Sequence, residues 1–220
     1  KEQIWGYREN EPMGGYDPYS SSKGAAEIAI ASWRCSFFNS ADYGKKHHVS
    51  LASVRAGNVI GGGDWALDRI IPDCIKALEA GKDIDIRNPQ AIRPWQHVLE
   101  PLSGYMLLAS KMWKEPTKYC EGWNFGPRAE SIVPVWDVAT DVIKNYGSGQ
   151  LNDISTPNTL HEAKLLMLDI SKAKFLLGWE PRMNIHQCIA LTVDWYKRYK
   201  DEDVYALCLE QIETYLAYGK

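Results

Sequence analysis

The hydrophobic and polar positions along the chain alternate between the spacing typical of helices and that typical of strands. Asp17 is a suitable N-cap and Pro18 fits the first turn, so the pattern that follows predicts a helix to about Phe38. Residues 49–54 form a short apolar run, which predicts a buried strand ending before Gly57. This alternation favours an α/β fold.

The same signals continue to the end of the chain. Further helices are predicted over residues 68–81, 101–113, 134–147 and 171–177, and short strands over residues 83–87, 123–125 and 165–168. Residues 148–159 are small and polar and predict a loop. The remaining residues predict an amphipathic helix, one face of which carries Ile185, Ile189, Val193 and Tyr196.

Composition excludes several classes of function. The 220 residues carry a net charge of −3 and no basic stripe, which argues against a nucleic-acid partner. No apolar run reaches the roughly 18 residues of a membrane span, so no membrane partner is expected. The five cysteines lack disulfide or metal-site spacing and the histidines form no metal motif, so we expect a reduced, cytoplasmic compartment and no metal.

Tyr19 and Lys23 are the first candidates for chemistry. Their spacing of four residues places both side chains on one helix face. A free tyrosine has a pKa of about 10, and a neighbouring cation lowers it toward the range of a useful base. Such a pair can take a proton from a sugar hydroxyl, and the lysine can bind the ribose of a dinucleotide. The spacing alone is weak evidence, because such pairs are common on solvated helix faces.

Four segments, in order, resemble the extended short-chain dehydrogenase/reductase family. They are Tyr-Asp-Pro-Tyr-Ser-Ser-Ser-Lys-Gly-Ala-Ala-Glu at 16–27, Val-Arg-Ala-Gly-Asn-Val-Ile-Gly at 54–61, Ile-Arg-Pro-Trp-Gln-His-Val at 92–98 and Leu-Leu-Gly-Trp-Glu-Pro at 176–181. The resemblance implies an NAD cofactor, a nucleotide-sugar substrate, and a Rossmann-type doubly wound sheet with a smaller mixed α/β substrate-binding lobe.

The resemblance also implies a division of the chain. Residues 1–60 and 100–147 correspond to the remaining part of the NAD-binding domain, and residues 61–99 and 148–220 to the nucleotide-sugar-binding lobe. The glycine-rich turn that holds NAD, and the family's Thr-Asp stretch that supplies the dehydration acid, have no counterpart in these residues. The expectation is therefore a C-terminal part of the enzyme, without its N-terminal nucleotide-binding half, that does not fold as an independent enzyme.

Site residues follow from the same motifs. The resemblance implies that Tyr19 and Lys23 are catalytic, and the NAD contacts that it implies are Tyr19, Lys23, Arg55 and Gly57. The substrate contacts that it implies are Asn58, Trp65, Arg69, Arg93, His161 and Glu162. A guanidinium fork can pair two phosphate oxygens, which makes Arg93 the stronger diphosphate candidate. The alternatives are surface salt bridges for both arginines and core packing for Trp65.

Other residues indicate which members of the family the chain resembles most. Segments 11–19, 61–65 and 93–102 resemble the dehydratases that act on CDP-glucose more than those that act on dTDP-glucose. The implied reaction passes hydride through bound NAD and loses water, giving a 4-keto-6-deoxy sugar for lipopolysaccharide biosynthesis. The alternatives are a dTDP-sugar dehydratase, a nucleotide-sugar epimerase, and a non-catalytic nucleotide-sugar-binding protein.

The helix that carries Tyr19 has a second implied role. The family forms homodimers through this helix. Ala25, Ala26 and Ala29 would let a second helix approach, while Ile28, Trp33 and Phe37 would bury area. The alternative is that this face is buried within one subunit.

Overall fold

The computed structural model describes residues 5–156 and 166–219 and has the predicted α/β fold. Its helices within these residues are α1 (Pro18–Ser36), α2 (Ile70–Glu79), α3 (Leu99–Lys114), α4 (Val135–Tyr146), α5 (Ile185–Arg198) and α6 (Val204–Ala217). Its strands are β1 (Ser53–Ala56), β2 (Asn58–Ile60), β3 (Ile84–Ile86), β4 (Ile92–His97), β5 (Gly122–Phe125), β6 (Ile132–Pro134) and β7 (Leu151–Asp153).

The strands form three small sheets that are mostly parallel. β1 pairs with β5, β3 pairs with β7, and β2 pairs with β4, each in the parallel sense. β6 adds to the other side of β4 in the antiparallel sense. Parallel pairs need long connections between their strands, and in this chain helices supply most of them.

Capping residues determine where α1 begins and where α4 ends. The Asp17 carboxylate accepts hydrogen bonds from the backbone N–H groups of Tyr19 and Ser20, at 2.9 and 3.0 Å, so α1 begins where it was predicted. Gly147 ends α4 in the left-handed conformation, with φ of 105°, as the sequence indicated. These local signals needed no tertiary information.

The predicted strand at residues 49–54 was wrong in its bounds. β1 begins only at Ser53, and Val49 and Val54 are exposed. The predicted loop at residues 148–159 contains β7, which pairs with β3. Of the predicted strand at residues 165–168, residue 165 lies outside the described residues, and Leu168 forms only an isolated bridge with Tyr7.

The C-terminal helix is two helices rather than one. The chain turns between α5 and α6, where the Arg198 guanidinium pairs with the carboxylates of Asp194, Glu202 and Glu210. The predicted face of Ile185, Ile189, Val193 and Tyr196 is buried, as expected. The predicted helix at residues 171–177 ends as a π-turn at Gly178.

Two clusters of buried side chains organise the fold. One combines α2, α4 and α5 with β3, and the other surrounds Trp123 and Phe125 of β5. Val138 of α4 lies in the first cluster, whereas Leu177 and Trp179 lie in the second. α4 thus packs with the implied sugar lobe, and residues 173–179 pack with the implied NAD-binding part. The division of the chain into two domains stays a prediction.

None of the helices within the described residues is long and apolar enough to cross a membrane.

A buried carboxylate joins α3 to the C-terminal region. Glu100 is fully buried, and its Oε1 accepts hydrogen bonds from the backbone N–H groups of Arg182 and Met183, at 2.8 and 2.7 Å. Its Oε2 accepts from the Tyr215 hydroxyl of α6 at 3.0 Å. Burial raises the pKa of Glu100 above its usual 4.5, despite these donors.

We expect Glu100→Ala to lower the free energy of unfolding by about 2–4 kcal/mol, because three buried donors lose their acceptor. Urea unfolding measures this change, and Glu213→Ala, at an exposed position of α6, is the matched control. Equal effects of the two substitutions would contradict the assignment.

The raised pKa of Glu100 adds a pH dependence to this prediction. Its stabilising contribution is fully present below the unfolded pKa and is lost as the pH rises through the higher folded pKa. Glu100→Gln, which does not titrate, should therefore lose less stability than the wild type over that rise.

Candidate active site

A cleft of about 1060 Å³ lies where α1, β2, β3, β4 and the start of α2 meet. It brings together predicted site residues from four separate segments of the chain. Those lining it are Tyr19, Gly57, Asn58, Arg69 and Arg93. A cavity of this size is at the upper end of the range that holds small-molecule ligands.

Glycines let the chain turn closely along this cleft. A side chain at Gly57 would begin 2.6 Å from the carbonyl oxygen of Pro94, and one at Gly62 would begin 2.1 Å from the Trp195 ring. Gly63 has a φ of 79°, in the left-handed region. The run of glycines therefore packs the loop against β4 and α5.

Tyr19 and Lys23 lie on the same face of α1, as their spacing predicted. The Lys23 ammonium is 5.4 Å from the centroid of the Tyr19 ring. Tyr19 is 72% exposed and lines the cleft, and Lys23 is exposed beside it. The pair is thus accessible to a ligand from the cleft side of α1.

Arg55 does not point into the cleft. Its Nη2 donates to Glu27 Oε2 of α1 at 2.8 Å, and its Nη1 donates to the Glu9 carbonyl at 3.1 Å. The Ser53 hydroxyl donates to the same Glu27 oxygen at 2.8 Å. The Arg55 hydrogen bond, more than any other contact, lowers the pKa of Glu27 below its usual value.

Sequence reasoning missed Glu27, although a signal for it exists. It follows Lys23 at the next helical repeat, so Tyr19, Lys23 and Glu27 share one stripe of α1. Tyr19 lines the cleft, Lys23 lies beside it, and Glu27 attaches the helix to β1. Arg55 therefore positions the Tyr19 helix.

The two predicted phosphate-binding arginines both line the cleft. Arg69 immediately precedes α2, and its Nη1 lies 3.6 Å from Asp64 Oδ2. Arg93 lies on β4, and its Nη1 donates to the Ile92 carbonyl at 2.8 Å. Both side chains are among those that line the cleft.

The remaining predicted residues lie elsewhere. Trp65 packs on Tyr196 and Tyr199, with ring centroids 5.1 and 5.5 Å apart, and is not among the cleft-lining residues. Trp65 is 39% exposed, and its role as a substrate contact stays a prediction. His161 and Glu162 lie outside the described residues.

Two further cleft residues were not predicted from the sequence. Asp68 and Arg87 line the cleft, and Arg87 Nη2 donates to Asp68 Oδ1 at 2.7 Å. Neither belongs to a motif, and they are 19 residues apart in the chain. Only the tertiary structure could pair them.

Comparison with known proteins identifies a homologue of this chain. No family model matches the chain. It is 49% identical, over 99% of its length, to CDP-glucose 4,6-dehydratase of Salmonella typhimurium strain LT2, and it covers 60% of that protein. The chain thus spans about three-fifths of the length of this relative and is homologous to it throughout that span.

Solved structures share the fold. A dTDP-glucose 4,6-dehydratase from Bacillus anthracis in complex with NAD is 20% identical, with a TM-score of 0.73 over 91% of this chain and 58% of that one. UDP-glucuronic acid 4-epimerase from Bacillus cereus, in complex with UDP-glucuronic acid and NAD, is also 20% identical, with a TM-score of 0.72 over 90% and 58%. These structures show that the chain shares their fold, and the 49% identity to the Salmonella protein bears out the resemblance that the motifs predicted.

We expect Glu27→Gln to lower the free energy of unfolding by about 1–3 kcal/mol, because a largely buried, charge-assisted hydrogen bond to Arg55 is lost. The pKa of Glu27 is depressed in the fold, so its contribution is present above the unfolded pKa and is lost as the pH falls through the folded one. The variant should therefore lose less stability than the wild type on acidification, as urea unfolding at several pH values measures. Glu115→Gln, which removes a surface pair with Lys118, is the control, and equal effects at the two positions would contradict the assignment.

Proposed function

We propose that this chain, a homologue of CDP-glucose 4,6-dehydratase, forms the substrate-binding side of an NAD-dependent nucleotide-sugar dehydratase that converts CDP-glucose to CDP-4-keto-6-deoxyglucose. The observation that carries the proposal is the placement of Tyr19 beside Lys23, on the same cleft as Arg69 and Arg93. The 49% identity to the Salmonella enzyme supports the choice of substrate.

Tyr19 is the proposed base for the sugar. Its hydroxyl oxygen accepts the proton of the glucose 4-hydroxyl as C4 is oxidised. The Lys23 ammonium, 5.4 Å from the centroid of the Tyr19 ring, places a positive charge beside the proposed base. The ketone formed at C4 then acidifies the proton on C5, and water leaves across C5 and C6.

Residues of α1 can supply some of the contacts to a dinucleotide. Lys23 and Tyr19 are exposed side by side and can bind ribose hydroxyls, and Gly57 lines the nearby end of the cleft. Arg55, committed to Glu27, supports cofactor binding by holding α1 in place. NAD bound there would supply the hydride acceptor for oxidation at C4 and the hydride donor for reduction at C6.

The arginines provide the proposed contacts to the diphosphate. Arg93 lies on β4 and Arg69 immediately precedes α2, and both line the cleft. Such donors form short, charge-assisted hydrogen bonds to phosphate oxygens. Asn58, at the start of β2, is close enough to line the same cleft and is assigned to the sugar. Trp65, His161 and Glu162 remain predicted substrate contacts.

The test uses the complete product of the gene that encodes this chain. With CDP-glucose it should form a 4-keto sugar, detected by its absorbance in alkali. Tyr19→Phe should lower kcat by roughly 10²–10⁴-fold while CDP-glucose binding changes little, because the hydroxyl acts mainly in the transition state. Lys23→Ala should also weaken retention of NAD.

Tyr205→Phe, on the exposed surface of α6, is the matched control and should leave turnover unchanged. Near-normal turnover of Tyr19→Phe would refute the role of Tyr19. Formation of a C4 epimer in place of the 4-keto sugar would identify an epimerase instead.

The outer face of α1 carries a second proposal, a homodimer. Ile28 and Trp33 of α1, and Phe37 at its C-cap, are large apolar side chains that are exposed in the single chain. Pairing of this face with a second copy would bury them, and the small Ala25 and Ala29 would allow close approach.

We therefore expect the complete gene product to be a dimer by light scattering at micromolar concentration. Ile28→Glu should weaken the dimer, because it places a charge in the apolar contact. Met106→Glu, at an exposed apolar position of α3, is the control and should leave the dimer intact. A monomeric wild type would refute the proposal.

A further inference from the structure

An ion pair on the wall of the cleft has an unusual backbone. Asp68 is the one non-glycine residue of ranges 5–156 and 166–219 with a positive φ, at 59°. Its Oδ1 accepts from Arg87 Nη2 at 2.7 Å. The left-handed conformation is disfavoured for residues with a Cβ, although aspartate tolerates it better than most.

Stability does not explain this arrangement. The side chain of Arg87 is 69% exposed and that of Asp68 is 76% exposed. Exposed pairs of this kind contribute little to the free energy of folding, since water screens them and both side chains lose freedom. A costly backbone conformation that supports a weak ion pair points to a role for the pair in binding.

The pair keeps most of its hydrogen-bonding capacity. One carboxylate oxygen and one guanidinium nitrogen join the two side chains, which leaves the second oxygen of Asp68 as an acceptor and further N–H groups of Arg87 as donors. The exposure of both side chains leaves these groups open to a ligand. The cleft wall therefore presents an acceptor directly beside a donor.

The pair and the proposed base line the cleft from different elements. Tyr19 enters the cleft from α1, and Arg93 enters it from β4. Asp68 instead comes from the segment before α2, and Arg87 follows the last residue of β3. A nucleotide sugar with its sugar at Tyr19 and its diphosphate at Arg93 and Arg69 leaves this wall for the base.

We propose that Asp68 and Arg87 read the cytosine base of the nucleotide, an inference that rests on the proposed function and specifies its base. The N4 amino group of cytosine donates to the Asp68 carboxylate, while N3 and O2 accept from the Arg87 guanidinium. Uracil and thymine reverse this pattern, because O4 is an acceptor facing the carboxylate and N3–H is a donor facing the guanidinium. The pair thus selects cytosine both by attraction and by rejection of the other pyrimidines.

Calorimetric titration of the complete gene product with CDP, UDP and dTDP tests the inference. The wild type should bind CDP roughly 10- to 100-fold more tightly than UDP or dTDP, the range that a matched bidentate contact to a base provides. Asp68→Asn should reduce this ratio to a few-fold, since asparagine keeps the left-handed backbone and can donate to O4 of uracil.

Arg87→Lys keeps the positive charge but loses the fork, so it should weaken CDP binding and leave UDP binding little changed. Asp137→Asn, at an exposed position of α4, removes a carboxylate outside the cleft and should leave all three affinities unchanged.

Three outcomes would overturn the inference. If the Arg87 and Asp68 variants weaken the three diphosphates equally, the pair acts on the diphosphate and not on the base. If the wild type does not discriminate between the bases, or if its discrimination survives both substitutions, Asp68 and Arg87 do not select the base. In each of these cases conversion of CDP-glucose to a 4-keto sugar would leave the proposed function standing, whereas failure to bind CDP or to form that product would remove the proposed function itself.

Discussion

The position of the proposed base depends on one ion pair between α1 and β1. Gly24 is the one residue of α1 that is buried, so apolar packing within this chain holds the helix only weakly. The Glu27 carboxylate, bound by Arg55 and Ser53, supplies the connection to the sheet. Because Tyr19 and Lys23 lie on the same stripe of the helix, the contact that attaches α1 also sets the direction in which the phenol faces.

The cleft exists because two packing units meet along short strands. Tyr19 and Gly57 belong to the side of β1 and β5, whereas Ile71, Ile84 and Ile86 belong to the large cluster of α2, α4 and α5. Glu100, at the start of α3, joins the two units, because its carboxylate accepts hydrogen bonds from the backbone N–H groups of Arg182 and Met183. The two halves of the cleft are thus fixed by polar contacts that apolar burial makes strong.

Local chemistry made α1, α4 and the Tyr19–Lys23 stripe predictable, because a cap and a period of about 3.6 residues act within a single segment. β4 was not predictable in this way. Its Gln96 and His97 are polar yet buried, and Gln96 Nε2 donates to the Phe125 carbonyl of β5 at 2.9 Å. The contact of Arg55 with Glu27 and that of Asp68 with Arg87 could not be predicted from the sequence for the same reason. Their partners come from distant segments that only the fold brings together.

The charge of the cleft limits how it can bind a diphosphate. Its described lining includes the guanidinium groups of Arg69, Arg87 and Arg93, but also the carboxylates of Asp64, Asp68, Asp73 and Asp85. A general positive field therefore does not draw an anion into it. Attraction must come from directed hydrogen bonds, in which a phosphate oxygen replaces the distant carboxylate of Asp64 at Arg69. Because that ion pair is long and exposed, little is lost when the proposed ligand displaces it.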